Sequence, residues 1–160
     1  MDTRMDTRTK TYRKAFVPNA LVYKVAQVKI SKDDRILDIG CGVDEYHPKR
    51  LRSYGYTCDG IDLSRPDLTA RGKYDVILLS NVLNVQTNIK DLEDTLDLLM
   101  QYVNVGTTII WNYPNTPRKM DITDDSMKAY VLDRIWQGDY GHYHERLGGS
   151  WRGVYVTTVV

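Results

Sequence analysis

Three short stretches carry the residue types best suited to chemistry. Leu37 to Gly42 read L-D-I-G-C-G, an acid inside an apolar run that ends in two glycines. Asp62 lies in G-I-D-L-S, 24 positions after Asp38 (62 − 38). Asp139 to Glu145 read D-Y-G-H-Y-H-E. Asp38 is costly to bury unless its charge meets donors or a cation, so an acid inside a strand points to a ligand. Glycines at Gly40 and Gly42 let the backbone approach a bound molecule where a strand hands over to a helix. An acid closing the next strand can accept hydrogen bonds from both hydroxyls of a ribose. His142 and His144 are candidate general bases. On a strand, H-x-H would place both imidazoles on one face; such pairs also occur as surface or structural residues, and no metal is assigned to them.

The glycine turn discriminates between ligands. A dinucleotide turn carries a third glycine, and here that place falls to Val43, Asp44 or Glu45. Asp44 and Glu45 would face the pyrophosphate, which disfavours a dinucleotide oxidoreductase. A cationic ammonium or sulfonium tolerates a nearby acid. S-adenosylmethionine fits this pattern: its amino-acid moiety and ribose need only lie against the backbone, with its carboxylate on the turn's amides.

Alternating elements position these residues. Leu21, Val22, Val25, Ala26 and Val28 repeat at helical spacing after Pro18. Ile36 to Ile39 is a buried-strand candidate, and the glycine turn leads into a helix from His47 to Tyr54 that stops at Gly55. Tyr56 to Asp62 reads as a strand, and Asp62 to Tyr74 as loop. Val76 to Leu79 is an unbroken apolar run, as in a central parallel strand. A helix follows from Ile89 to Tyr102, with Leu92, Leu96, Leu99 and Met100 on one face, and then a strand from Thr107 to Trp111. Asp124 or Asp125 can cap a last helix from Ser126 to Trp136, and Val154 to Val160 reads as a closing antiparallel strand. This order predicts an α/β, Rossmann-like, doubly wound and mostly parallel sheet, with helices on both faces and little around its third strand. In such sheets ligands bind outside the carboxyl ends of the strands where strand order reverses, and Gly40 to Asp44 lies at such an end.

The chain has 160 residues, fitting one domain over residues 15–160 after a mildly basic, flexible arm over 1–14. No apolar run approaches the ~20 residues needed to cross a bilayer, and the start lacks the apolar stretch of a secretory signal. A cytoplasmic protein is expected, with Cys41 and Cys58 free and packed. With 22 basic and 21 acidic side chains, no whole-molecule field argues for a nucleic-acid partner. Trp111, Tyr113, Trp136, Tyr140, Tyr143 and Trp151 could stack on bases or simply form core and rim.

Taken together, L-D-I-G-C-G, G-I-D-L-S and Y-D-V-I-L-L-S-N-V-L-N resemble the core of class I S-adenosylmethionine-dependent methyltransferases. The resemblance implies that Asp38, Gly40, Cys41 and Gly42 contact the methionine end, that Asp62 holds the ribose, that Leu63 lies against the adenine and that Ser80 and Asn81 flank the sulfonium. Arg13, Ala15 and Pro18, with Val82 to Val85, are also similar to R-x-A-x-x-P and V-L-N-V of methyltransferases found with DNA-modification systems. Asn84 of that second motif joins His142 and His144 as a candidate catalytic residue.

The short third-strand region departs from the family and leaves the adenine pocket to be closed by the Arg65 to Lys73 loop or by another segment, with Asp67 a candidate contact to the adenine amino group. The implied function is methyl transfer from S-adenosylmethionine to a nucleic acid, a nucleotide or a related small molecule. The alternative is a non-catalytic nucleoside-binding or protein-interaction module that keeps the fold. Dimerisation is a further expectation, since it would cover an exposed sheet edge.

Overall fold

The computed structural model describes residues 21–80, 82–83, 89–112, 133, 142–147 and 153–160. Among the described residues six strands form one sheet: β1 (Arg35–Ile39), β2 (Thr57–Ile61), β3 (Val76–Leu79), β4 (Thr108–Asn112), β5 (His142–Arg146) and β6 (Val154–Val159). Their spatial order is β2-β1-β3-β4-β6-β5. The first four pair in parallel, and β6 runs antiparallel to both β4 and β5. The expected doubly wound sheet is therefore present. Strand order reverses between β1 and β3, side by side at the centre.

Helices α1 (Leu21–Lys29), α2 (Tyr46–Ser53) and α3 (Ile89–Met100) cover both faces. Alternation along the strands explains the division. Ile36, Cys58, Val76, Leu78 and Ile110 pack with Val22, Val25 and Ala26 of α1 and Leu51 of α2. Leu37, Ile77, Leu79, Ile109 and Trp111 pack with Leu92, Leu96 and Leu99 of α3. Val28 departs from the expected stripe: it lies off the arc shared by Val22, Val25 and Ala26 and is 65% exposed.

The chain between Asp62 and Asp75 forms neither helix nor strand, only one isolated bridge between Asp62 and Arg65. Among the described residues the sheet consequently ends at β2. Arg35 secures this shortened connection. Its guanidinium lies 4.2 Å from the Tyr74 ring centre and donates to the Lys73 carbonyl at 2.8 Å. Tyr74 in turn donates its hydroxyl to Asp59 Oδ2 at 2.8 Å, linking the loop to β2.

At the other edge the expectation needs correction. Val154 to Val159 does not close the sheet but sits between β4 and β5. His142 to Arg146 forms the outer strand, which H-Y-H-E-R does not announce because its alternation is polar and its pairing partners lie nine to 17 residues away. Trp111 is core: it is fully buried, stacks on Tyr155 at 4.4 Å and donates its indole N–H to Thr157 Oγ1 at 2.9 Å. The arm over 1–14 and the expected helix from Ser126 to Trp136 lie outside the described residues, residue 133 excepted, which is helical. Among the described residues no helix is long and apolar enough to cross a membrane.

Leu99 is fully buried against the sheet, whereas Val28 faces solvent. Leu99→Ala should cost about 2–5 kcal/mol in urea unfolding, against roughly 0.5 kcal/mol or less for Val28→Ala.

Candidate functional site

The site grows from the end of β1. Gly40 and Gly42 have φ of +76° and +88°, a region in which side chains are strained. A Cβ on Gly40 would lie 2.6 Å from Val82 Cγ2, so only glycine lets the turn pass this close to the segment after β3. Here β1 and β3 part and the strand order reverses. The amides of Gly40 and Cys41 donate to the Ile61 carbonyl at 2.9 and 3.1 Å, and the Gly42 amide to Asp62 Oδ2 at 3.0 Å. Sequence reasoning left these amides open for a ligand carboxylate; they are instead committed to the end of β2, and the turn contributes shape. The thiols of Cys41 and Cys58 are free and buried, and burial raises both above the usual thiol range.

Asp38 sits two residues before the turn with no exposed surface. Tyr23 of α1 donates its hydroxyl to Asp38 Oδ2 at 2.5 Å. Oδ1 is buried and has no hydrogen-bond partner among the described residues. Burial drives the Asp38 carboxyl up to about 8, with the charge of Asp62 adding to the effect and the Tyr23 hydrogen bond opposing it. The Tyr23 ring stacks on His47, 3.5 Å between centroids. Burial, aided by Arg50, lowers His47 to about 4 and keeps it neutral. Tyr23 was not singled out from sequence; its signal is a hydroxyl on the apolar stripe of α1.

Asp62 stands where β2 ends. Its Oδ1 accepts from the Ser64 amide at 2.9 Å and the Ser64 hydroxyl at 2.6 Å. Beside it a cleft of about 350 Å³ runs past Gly40 and Leu63 to Leu68, Ala70, Leu98 and Tyr102. Leu63, 46% exposed, lines this cleft, and Leu68, Thr69 and Ala70 of the loop after Arg65 supply one wall. Asp67 does not line it: both its oxygens are held by Arg65, at 2.9 and 2.7 Å.

Arg65 is a residue the sequence reading passed over. It also donates to the Val43 carbonyl at 2.8 Å and lies 3.8 Å from Glu45. Glu45 adopts φ 50°, is nearly buried and accepts from Arg52 at 2.9 Å. Arg65 thus ties the loop that follows β2 to the glycine turn. Asp44 is exposed at the head of α2, beside Glu45.

Asp38, Gly40, Cys41, Gly42, Asp62 and Leu63 therefore come together where β1 and β2 end, and Ser80 follows directly after β3. Asn81 and Asn84 lie outside the described residues. His142 and His144 are not brought to this place. Their strand is the far edge of the sheet, four inter-strand steps from β1 or about 19 Å. His142 pairs with Val159, whose amide bonds Thr107 at the amino end of β4, opposite the glycine turn. Among the described residues no group of three or more His, Cys, Asp or Glu is placed to hold a metal.

A family model described as a methyltransferase domain matches residues 11–153. No curated protein matches the chain by sequence. Several solved structures are similar in fold. A TehB-like SAM-dependent methyltransferase from Corynebacterium glutamicum is 14% identical with a TM-score of 0.63, the match covering 99% of this chain and 98% of that one. A SAM-dependent methyltransferase from Bacteroides fragilis in complex with S-adenosyl-L-homocysteine is 15% identical with a TM-score of 0.56, covering 90% and 78%. A chain of the Pnkp1/Rnl/Hen1 RNA repair complex is 12% identical with a TM-score of 0.57; the match covers 98% of this chain and 46% of that longer one.

A carboxyl raised from 3.8 to about 8 binds its proton more tightly folded than unfolded. Its contribution is fully present below pH 3.8 and is lost as pH rises through about 8. Thermal melts of the ligand-free protein across this window should show wild type losing stability relative to Asp38→Asn, by on the order of a few kcal/mol at the alkaline end. Parallel curves for the two proteins would contradict a buried, protonated Asp38.

Proposed function

The chain belongs to the class I S-adenosylmethionine-dependent methyltransferases, and on that premise we propose that the ends of β1, β2 and β3 hold S-adenosylmethionine and direct its methyl group to a nucleic acid, a nucleotide or a related small molecule. The observation that carries the reading is Asp38 Oδ1, a buried oxygen with no partner among the described residues, beside a turn that only glycine can make. A buried carboxyl of this kind can pair with a cationic donor once ionised, and the methionine ammonium is one. The apolar cleft next to Asp62 has a volume ordinary for a small-molecule site.

Each part of the site has a role in this reading. Asp38 receives the ammonium, and the turn from Gly40 to Gly42 shapes the backbone surface against which the methionine end lies. Asp62 accepts from the ribose hydroxyls. Leu63, Leu68, Ala70 and Tyr102 give the adenine an apolar bed. Bound S-adenosylmethionine supplies a sulfonium-activated methyl group for in-line displacement. The protein's share of that reaction is to orient the acceptor and exclude water, which requires no dedicated acid or base. Ser80 and Asn81 border the reacting centre in this scheme, and Asn84 lies near enough in sequence to meet the acceptor. The acceptor class draws on the resemblance of Arg13 to Pro18 and Val82 to Val85 to the methyltransferases of DNA-modification systems.

Calorimetric titration should detect binding of both S-adenosylmethionine and S-adenosylhomocysteine, weakened about 10–100-fold in Asp62→Ala through loss of charge-assisted hydrogen bonds. Incubation with methyl-labelled cofactor should then label a nucleic-acid or small-molecule fraction of a lysate. Binding without any labelled product would assign the chain to the non-catalytic alternative, and no binding of either compound at millimolar concentration would reject the cofactor.

A further inference from the structure

Among the described residues, groups from several elements interact with Asp38. Tyr23 comes from α1; Cys58 from β2, Cys41 from the glycine turn and Asp62 from beyond β2 each interact with its charge. Its register neighbour on β3 is Leu78, and on β2 Gly60. His47 of α2 reaches the pair through the Tyr23 ring, on which it lies 10° from parallel. No cation stands among these described groups. Among the described residues the carboxyl therefore has one oxygen fixed by a hydroxyl donor, one oxygen without a partner, and no counter-charge.

This asymmetry locates the proton. The carbonyl oxygen of a neutral acid is its better acceptor, and Oδ2 is the oxygen that accepts from Tyr23. A neutral Asp38 thus carries its proton on Oδ1, the oxygen left unpartnered. A ligand ammonium is itself only a donor and cannot accept from that O–H. Loss of one of the two protons converts the contact into a charge-assisted hydrogen bond.

We propose that Tyr23 is a positioning residue of the cofactor site, aiming the second oxygen of Asp38 at the ligand ammonium, and that arrival of this cation expels the carboxyl proton to solvent. The inference rests on the cofactor reading given above. The step balances: the O–H bond of Asp38 breaks, its proton passes to the buffer, and the carboxylate left behind pairs with the incoming ammonium. Burial and the Asp62 charge hold the proton on Asp38 up to about pH 8 in the free protein, and the Tyr23 hydrogen bond favours its release. His47, kept neutral by the same burial, adds no charge that would do this work instead.

Titrations of S-adenosylhomocysteine into the full chain between pH 6 and pH 9, each repeated in buffers of different ionisation enthalpy, count the protons. This ligand lacks the sulfonium and isolates the ammonium. Wild type should release close to one proton per ligand at pH 7, with release falling by half near pH 8. Tyr23→Phe keeps the ring on His47 but removes the donor; affinity at pH 7 should drop about tenfold and the half-release pH should move upward. Asp38→Asn should bind weakly with no release at any pH. A purely structural Tyr23 would lower the melting temperature and leave the release profile in place. Wild type binding without proton release, or a Tyr23→Phe profile that superimposes on wild type, overturns the proposal and leaves the cofactor reading standing. Failure of wild type to bind at all overturns both.

Discussion

The site depends on one unfavourable act, the burial of a carboxyl in the middle of a parallel strand. Asp38 lies between β2 and β3 in register, has no exposed surface and, among the described residues, meets one donor, Tyr23. Nothing in folding alone rewards such a placement, because an apolar residue there would pack as well without the desolvation penalty. The protein tolerates it by keeping the group protonated. A binding partner that brings a positive charge turns the same placement into an advantage, since attraction is strong where water is excluded.

Around this acid the remaining parts work as a frame. Gly40 allows the turn to press against Val82, setting the end of β1 beside the segment after β3. Three successive amides of that turn are anchored to Ile61 and Asp62, so the shape of the loop is fixed from β2. Arg65 then couples the turn to the wall of the neighbouring cleft through Val43, Glu45 and Asp67. The shortened third-strand region gains from this arrangement: a single guanidinium and the Arg35–Tyr74–Asp59 cluster hold a loop that a strand and helix would otherwise support.

Much of this was legible in the chain, for reasons particular residues make clear. Val76 to Leu79 reads as a central strand because both its faces are buried, and α3 reads from Leu92, Leu96 and Leu99 because one stripe is buried. The glycine turn and Asp62 were visible as residue types whose presence needs a reason. What pairing decides was not visible. β5 exists because β6 offers it a ladder, not because H-Y-H-E-R favours a strand, and its place at the far edge separates His142 and His144 from the turn. The commitment of the turn's amides to β2, the reach of Tyr23 across 15 positions to Asp38, and the grip of Arg65 on Asp67 all follow from tertiary packing that local spacing does not encode.

The central claim is that Asp38 is a buried neutral acid in the free protein and becomes the counter-ion of a bound cation. Carbon-13 NMR of the aspartate side-chain carboxyl carbons, with Asp38 assigned through Asp38→Asn, reads its ionisation directly. At pH 7 the free protein should show this resonance at the protonated position, and saturating S-adenosylhomocysteine should move it to the carboxylate position. A carboxylate resonance already present in the free protein at pH 7, or one that ligand leaves unmoved, would contradict the account.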